Sequence, residues 1–225
     1  MKTDNFYVIV VAGGSGERFG ADKPKLLVEL DSKPIIFHTI HNIARSNAQN
    51  IVLVAPMGYE SEFEKIAIDA ADEKPIYITT GGIRRSDSVR RGLAKLGEHC
   101  SDDDIVLIHD GARPLASPQL FDRCAKNVNK FGAVITAMPM NETIKMVEEN
   151  FIVGTSPREK IWTAQTPQGF LYRIIDSALD NDDDFTDSAS ACEKIGQNVA
   201  VIMGERRNIK ITTQEDLVIA SKLMK

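Results

Sequence analysis

Cysteine is scarce in this chain of 225 residues: there are three, Cys100, Cys124 and Cys192, widely spaced and odd in number. No C-x-x-C pair occurs, which argues against a zinc site or a disulfide framework and for buried thiols in a reducing cytosol. An excess of positive charge is also missing. Lys and Arg total 27 against 32 Asp and Glu, a formal net charge of −5. No global basic field therefore favours nucleic acid or an anionic membrane. No apolar run approaches the roughly 20 residues needed to cross a bilayer. The first strand-like run begins almost at the N-terminus, so the expectation is a cytoplasmic chain without a signal peptide. Two well-known phosphate fingerprints are absent too. The P-loop tripeptide Gly-Lys-Ser/Thr does not occur, and Phe19 stands where the dinucleotide motif needs a small residue.

What is present is a different glycine-rich loop. The apolar run Tyr7-Val8-Ile9-Val10-Val11 reads as a buried strand and leads into Ala12-Gly13-Gly14-Ser15-Gly16-Glu17-Arg18-Phe19-Gly20, followed by Pro24-Lys25. Small residues after a strand let backbone N–H groups close on a phosphate without side chains in the way. Arg18 can grip phosphate oxygens as a planar fork, and Lys25 can act as a mobile point charge. On the glycines alone, a tight strand-to-helix turn with two surface cations remains the alternative.

Further along, apolar runs alternate with helical patterns. Ile51–Ala55, Ile76–Ile78, Ile105–Ile108 and Ala133–Ala137 read as strands, with a last one near Val199–Ile202. Helices are expected from Pro34, at Glu60–Ala70, Arg85–Leu96, Pro118–Val128, Leu171–Leu179 and Ser188–Ile195, and from Thr213. This alternation predicts an α/β fold, a Rossmann-like, mostly parallel sheet with helices on both faces. Ligands of such sheets bind beyond the carboxyl ends of strands, where the glycine loop and Asp110 both fall. Between about Pro139 and Pro167 the pattern breaks. Thr143–Val147 and Phe151–Val153 flank Glu148-Glu149-Asn150, which reads as a β-hairpin, either packing on another subunit or forming a sheet edge. The expected organisation is a single domain over residues 1–225 with this arm inserted at about 139–160.

Four further clusters carry chemistry. Gly81-Gly82-Ile83-Arg84-Arg85-Ser86-Asp87-Ser88-Val89 puts a turn and a hydroxyl before a helix, suited to a base, ribose or phosphate. His109-Asp110-Gly111-Ala112-Arg113-Pro114 places a carboxylate and an arginine at a strand end. Asn141-Glu142-Thr143-Ile144-Lys145 and Arg158 lie in or beside the hairpin, and Asn208-Ile209-Lys210-Ile211-Thr212 offers a lysine before the last helix. With Trp162-x-Ala164-Gln165-Thr166-Pro167-Gln168 and Thr186-Asp187, these motifs resemble, nearly end to end and in order, the 2-C-methyl-D-erythritol 4-phosphate cytidylyltransferases.

The resemblance implies a role for each position. The backbone around Ala12, Gly13, Gly14 and Gly16 would hold the CTP phosphates, with Gly111 also on the nucleotide side and Gly82 and Ser88 near the cytosine and ribose. Arg18 and Lys25 would stabilise charge on the α-phosphate and the departing pyrophosphate. Asp110 would position Mg²⁺ and the reacting groups. Arg113, Thr143, Arg158, Thr186 and Lys210 would contact the polyol phosphate, with Arg158 reaching across a homodimer through the arm. Arg18, Lys25, Arg158 and Lys210 are thus the catalytic cations, while His109 reads as structural rather than as a proton shuttle. Departures fall at Ile83 and Arg84, where many relatives carry Asp or another polar residue and then Glu. Gly111 stands for Ala, Glu142 for Asp, and Ser188 for a second Asp. Rival readings are a ribitol 5-phosphate cytidylyltransferase, a sugar-1-phosphate nucleotidyltransferase, and, from other classes, a non-catalytic nucleotide sensor or an NAD-dependent oxidoreductase. Lys145, Asp87-Ser88-Val89 and Ala112-Arg113-Pro114 favour methylerythritol phosphate over ribitol phosphate. Ala55-Pro56 stands where the oxidoreductase needs an acidic residue.

Overall fold

The computed structural model describes residues 6–13, 23–180 and 184–224. In chain order its strands are β1 (Phe6–Val11), β2 (Glu29–Leu30), β3 (Lys33–Pro34), β4 (Ala48–Ala55), β5 (Ile76–Thr80), β6 (Ile105–Asp110), β7 (Ala133–Pro139), β8 (Ile144–Glu148), β9 (Phe151–Ser156), β10 (Trp162–Leu171) and β11 (Ala200–Met203). Its helices are α1 (Ile35–Ala44), α2 (Glu60–Ala71), α3 (Arg85–Gly97), α4 (Pro118–Phe131), α5 (Tyr172–Ala178), α6 (Ser188–Lys194) and α7 (Gln214–Leu223). Seven strands form one sheet in the order β11-β7-β10-β6-β1-β4-β5. β1 pairs in parallel with both β4 and β6, and β10 runs antiparallel between β6 and β7.

Side-chain alternation explains the two-sided core. Successive strand residues point to opposite faces. Val8 and Val10 of β1, Ile51 and Leu53 of β4 and Leu107 of β6 join the cluster that also takes in Ile36 and Ile40 of α1 and Phe121 of α4. Ile9, Val11, Val52, Val54, Val106 and Ile108 face the other way, onto Val89, Leu93 and Leu96 of α3 and Ile175 of α5. The expected mostly parallel sheet with helices on both faces is what forms.

Helix starts follow their local chemistry. Ser117 accepts from the Leu120 N–H and precedes Pro118 in the first turn of α4, and Thr213 forms a capping box with Asp216 at α7. The hairpin pattern is also met: β8 and β9 pair antiparallel in a small sheet of their own. Glu149 and Asn150 between them adopt φ of 46° and 69°, as a tight two-residue turn requires.

One element departs from the expectation. The segment after the hairpin, read only as a broken pattern with a motif, is the ten-residue strand β10. Its register against β7 shifts between Gln165 and Gln168, and Thr166-Pro167 is a cis peptide there. The polar residues of this stretch hid the strand, because Gln165, Thr166 and Gln168 are buried among partners distant in sequence.

Candidate active site

β1, β5 and β6 all end on the same side of the sheet, and the candidate groups gather there. Ala12 and Gly13 follow β1, with the Ala12 N–H bonded to the Val54 carbonyl at 3.0 Å. Gly81 and Gly82 follow β5. The Ser88 hydroxyl accepts from the Gly82 N–H at 3.0 Å and donates to the Arg84 carbonyl at 3.3 Å, closing the turn that opens α3. A Cβ on Gly82 would sit 2.3 Å from Cβ of Asp87, so this turn admits no side chain at that position. A Cβ on Gly13 would lie 3.4 Å from the same Ser88 hydroxyl, which brings the two glycine turns face to face.

Arg84, a departure from the family pattern, has a structural role. Its backbone N–H and guanidinium both bond Asp87, the latter at 2.7 Å, and Arg90 adds a second ion pair at 3.2 Å. Those bonds from Arg84, led by its side chain, lower the Asp87 carboxyl to about 2. Ile83 beside it is fully exposed.

The charged centre is Asp110, at the end of β6 and paired in register with Val11, the last residue of β1 before Ala12 and Gly13. Three cations converge on its carboxylate: Lys210 at 2.9 Å, Arg85 at 3.4 Å and Arg113 at 3.7 Å. Burial works to raise the Asp110 pKa, but Arg85, Lys210 and Arg113 together hold it well below the usual carboxylate range. Asp110 therefore stays ionised and cannot donate a proton near neutral pH. A cavity of about 250 Å³ opens over this cluster, lined among others by Arg85, Arg113, Lys210, Thr186 and Asp187. Burial opposes ionisation of Asp187 as well, yet hydrogen bonds from Ser190 and Gln168 keep its pKa low. With three cations against two carboxylates, the cavity favours a small anion.

The cations differ in freedom. The Arg113 side chain is 11% exposed and donates to the Asn208 carbonyl at 2.8 Å, so it is a fixed fork. The Lys210 side chain is 44% exposed, a point charge at the cavity mouth. Its loop is clamped from several sides. Gln165 exchanges hydrogen bonds with the Glu205 backbone at 3.0 and 3.1 Å, and the Ile211 N–H bonds the Ala112 carbonyl at 2.9 Å. Gln168 clamps the start of α6, bonding Asp187 and accepting from the Ser188 N–H, both at 3.0 Å.

Of the residues singled out in sequence, Asp110, Arg113, Lys210 and Thr186 meet at this cavity. Lys25 lies close by, its ammonium donating to the Ile211 carbonyl at 2.6 Å. Gly111 packs inward: its N–H bonds Val11, its carbonyl accepts from Thr39, and a Cβ would come within 2.9 Å of Leu26. Thr143 and Arg158 belong to the hairpin region and do not line the cavity, Arg158 bonding the Asn141 carbonyl at 2.9 Å. Gly14, Gly16 and Arg18 lie outside the described residues. Arg85, Gln165, Gln168 and Asp187 line the cavity without having been assigned a role from sequence. Their signal was position inside quoted motifs, with Asp187 also an N-cap just before a helix.

Among the described residues no group of three or more His, Cys, Asp and Glu side chains is placed to hold a metal ion. Asp110 is the described carboxylate that could hold the Mg²⁺ implied by the resemblance. That fits a hard cation that keeps its waters and takes further oxygens from substrate phosphates. Asp110 is ionised and stands where the first glycine turn leaves the sheet.

A mostly parallel sheet with glycine turns at its strand ends, beside a cationic cavity, is the arrangement of an α/β phosphate-binding enzyme, and comparison with known proteins makes the class nucleotidyltransferase. The model of the IspD family, 2-C-methyl-D-erythritol 4-phosphate cytidylyltransferase, matches residues 6–225. A protein of that name from Alkaliphilus oremlandii is 38% identical over 225 residues, covering 97% of this chain and 94% of its own. The crystal structure of the Francisella tularensis enzyme of the same name superposes with a TM-score of 0.80 at 30% identity, over 97% of this chain and 99% of that one. A 4-diphosphocytidyl-2C-methyl-D-erythritol synthase from Anaerococcus prevotii gives 0.83 at 28% identity, over 98% and 99%. This chain belongs to the IspD cytidylyltransferase family.

Proposed function

We propose that this chain transfers the cytidylyl group of CTP to 2-C-methyl-D-erythritol 4-phosphate, releasing pyrophosphate and supplying a cytidine diphosphate ester for isoprenoid precursor synthesis. The observation that carries the reading is the convergence of Arg85, Arg113 and Lys210 on ionised Asp110, beside the glycine turns at the ends of β1 and β5. Substrate and nucleotide are both polyanions, and the first task of the site is to hold them together.

A phosphate oxygen of the acceptor attacks the α-phosphorus in line. The bond from that phosphorus to the bridging oxygen breaks, and its electron pair leaves with pyrophosphate. A phosphate monoester has its second pKa near 6, so the nucleophile is already mostly a dianion and needs no general base. Catalysis then rests on positioning and on neutralising charge as it builds. Gly13, Gly82 and the Ser88 turn cradle the nucleotide together with Gly14 and Gly16, while Gly111, its backbone already bonded to Val11 and Thr39, packs beneath them. Arg18 and Lys25 meet the triphosphate. Arg113 fixes the acceptor as a fork, Thr186 adds a hydroxyl, and Lys210 moves from Asp110 onto phosphate. Asp110 would hold a divalent cation, Mg²⁺ in this reading, which when bound supplies charge neutralisation at the phosphates.

Residues 1–225 form one nucleotidyltransferase domain in this proposal, and the β8–β9 hairpin is a dimer arm that brings Thr143 and Arg158 to the partner's cavity. Exposed Phe151, Ile152 and Val153 on β9 support that use. The three cysteines are unpaired, in keeping with the reducing cytoplasm. No described helix is long and apolar enough to cross a membrane.

The test is pyrophosphate release from CTP and Mg²⁺, with methylerythritol 4-phosphate and ribitol 5-phosphate as parallel acceptors. Release is expected with the first only, and Lys210→Ala should lower kcat about 100-fold. Release with ribitol phosphate alone would overturn the acceptor, and CTP binding without release would overturn the transfer.

A further inference from the structure

Beneath the cavity runs a closed cycle of hydrogen bonds. The Thr166 hydroxyl meets His109 Nδ1 at 3.0 Å, and His109 Nε2 meets the Arg113 carbonyl at 3.3 Å. Arg113 Nη1 donates to the Asn208 carbonyl at 2.8 Å, and Asn208 Nδ2 donates to the Thr166 carbonyl at 2.7 Å. The direction of each bond is forced. A carbonyl only accepts, so Nε2 carries the imidazole proton. Nδ1 of the neutral ring then accepts, and the Thr166 hydroxyl must donate to it. The same hydroxyl oxygen accepts from the Asp110 N–H at 3.0 Å.

Two members, Thr166 and Arg113, line the cavity, while the other two are shut away from any water that could replace a lost partner. His109 and Asn208 are wholly buried, Thr166 is 4% exposed, and the imidazole is packed edge-on against Phe121. It also spans the elements that bring charge to the cavity: the end of β6 with Asp110, the turn to Arg113, the kinked part of β10, and the loop that carries Lys210 two residues after Asn208. We propose that Thr166, His109 and Asn208 are positioning residues that set Asp110, Arg113 and Lys210 in mutual register for the transfer, through this one-directional cycle. The inference rests on the transfer reaction above.

Thr136 supplies an internal control. It is wholly buried in the adjoining strand and donates its hydroxyl to the Pro167 carbonyl at 3.0 Å, one residue from Thr166 but outside the cycle. Thr136→Val and Thr166→Val each remove one buried hydroxyl from the same neighbourhood. If the cycle is only structural, both variants lose stability and neither loses turnover. If it positions the charges, Thr166→Val lowers kcat about 10- to 100-fold, as an ångström-scale misplacement does, while KM for CTP stays within about twofold. Thr166→Ser, which keeps the hydroxyl, should restore kcat to within about threefold of wild type, and Thr136→Val should match it. Equal kcat losses in Thr136→Val and Thr166→Val, or no rescue by serine, would overturn the proposal. Should Thr166→Val fail to fold, Thr166→Ala is judged by the same criteria.

A second readout needs no turnover. In wild-type protein labelled with nitrogen-15 histidine, His109 should show a protonated Nε2 and an unprotonated, hydrogen-bonded Nδ1. An Nδ1–H tautomer would sink the cycle whether or not the protein is active. A wild-type chain that transfers nothing to methylerythritol phosphate would instead refute the reaction reading, with the imidazole signal still deciding the cycle.

Discussion

His109 makes the acid sensitivity of this fold calculable. Its side chain is wholly buried, and burial pushes the imidazole from its ordinary 6.5 down to about 4, against the raising pull of Asp110. Between those values the unfolded chain binds a proton that the folded chain refuses. Stability therefore rises with pH across this window, is complete above about 6.5, and is lost as the pH falls toward 4. The whole displacement is worth on the order of 3 kcal/mol, of which about 2 kcal/mol is lost between pH 7.5 and 5. Other groups contribute in other ranges. Asp110 and Asp187 are held below 3.8 and act in stronger acid, whereas burial raises Asp176 and opposes the trend. A difference measurement cancels them. Urea unfolding of wild type and His109→Gln at pH 7.5 and 5 compares a titrating side chain with one that does not titrate. Glutamine can still donate toward the Arg113 carbonyl, and any fixed cost of the substitution drops out. Wild type should lose about 2 kcal/mol more than the variant on acidification. Equal losses would refute the claim that burial keeps His109 neutral.

Two other substitutions probe packing and assembly. Gly169 lies on β10 where a Cβ would come within 2.6 Å of Val128 Cγ2, 2.7 Å of Leu107 Cδ2 and 3.0 Å of Cys124 Sγ. Gly169→Ala should cost about 1–3 kcal/mol through overpacking, lowering the urea midpoint, and an unchanged midpoint would show that the helix α4 side yields freely. Phe151 on the hairpin is 76% exposed. In the dimer proposed above, Phe151→Glu should shift sedimentation toward monomer and lower activity with it; a variant that sediments as wild type and stays fully active would dismiss the hairpin as a dimer contact.

The strands and the two-sided core were legible in the chain because their cause is local. In β1, Val8 and Val10 alternate with Ile9 and Val11, and period two alone assigns them to opposite faces. The hairpin was legible for a similar reason, since Glu149 and Asn150 lie between two short apolar-rich runs. Asp110 was legible as a carboxylate at the carboxyl end of a strand, whereas the roles of Arg113, Lys210 and Thr186 came through motif resemblance. Arg85 sat in plain view inside a quoted motif, yet nothing in its neighbours says that it reaches Asp110, 25 residues on.

Strand β10 marks the limit most clearly. Gln165, Thr166, Pro167 and Gln168 read as a polar stretch with a proline, which argues against a strand interior. Gln165 and Thr166 find their partners, Glu205 and His109, 40 and 57 residues away, and Gln168 finds Asp187 19 residues away. The chain by itself determined where apolar strands and helices would form, and the order of its motifs determined its family. Only the tertiary structure decided that a polar segment enters the sheet antiparallel and that four charges meet at the end of its central strand β6. Apolar patterning acts through the burial of neighbouring side chains, whereas a buried polar group is stable only once strand order has brought its hydrogen-bond partner alongside.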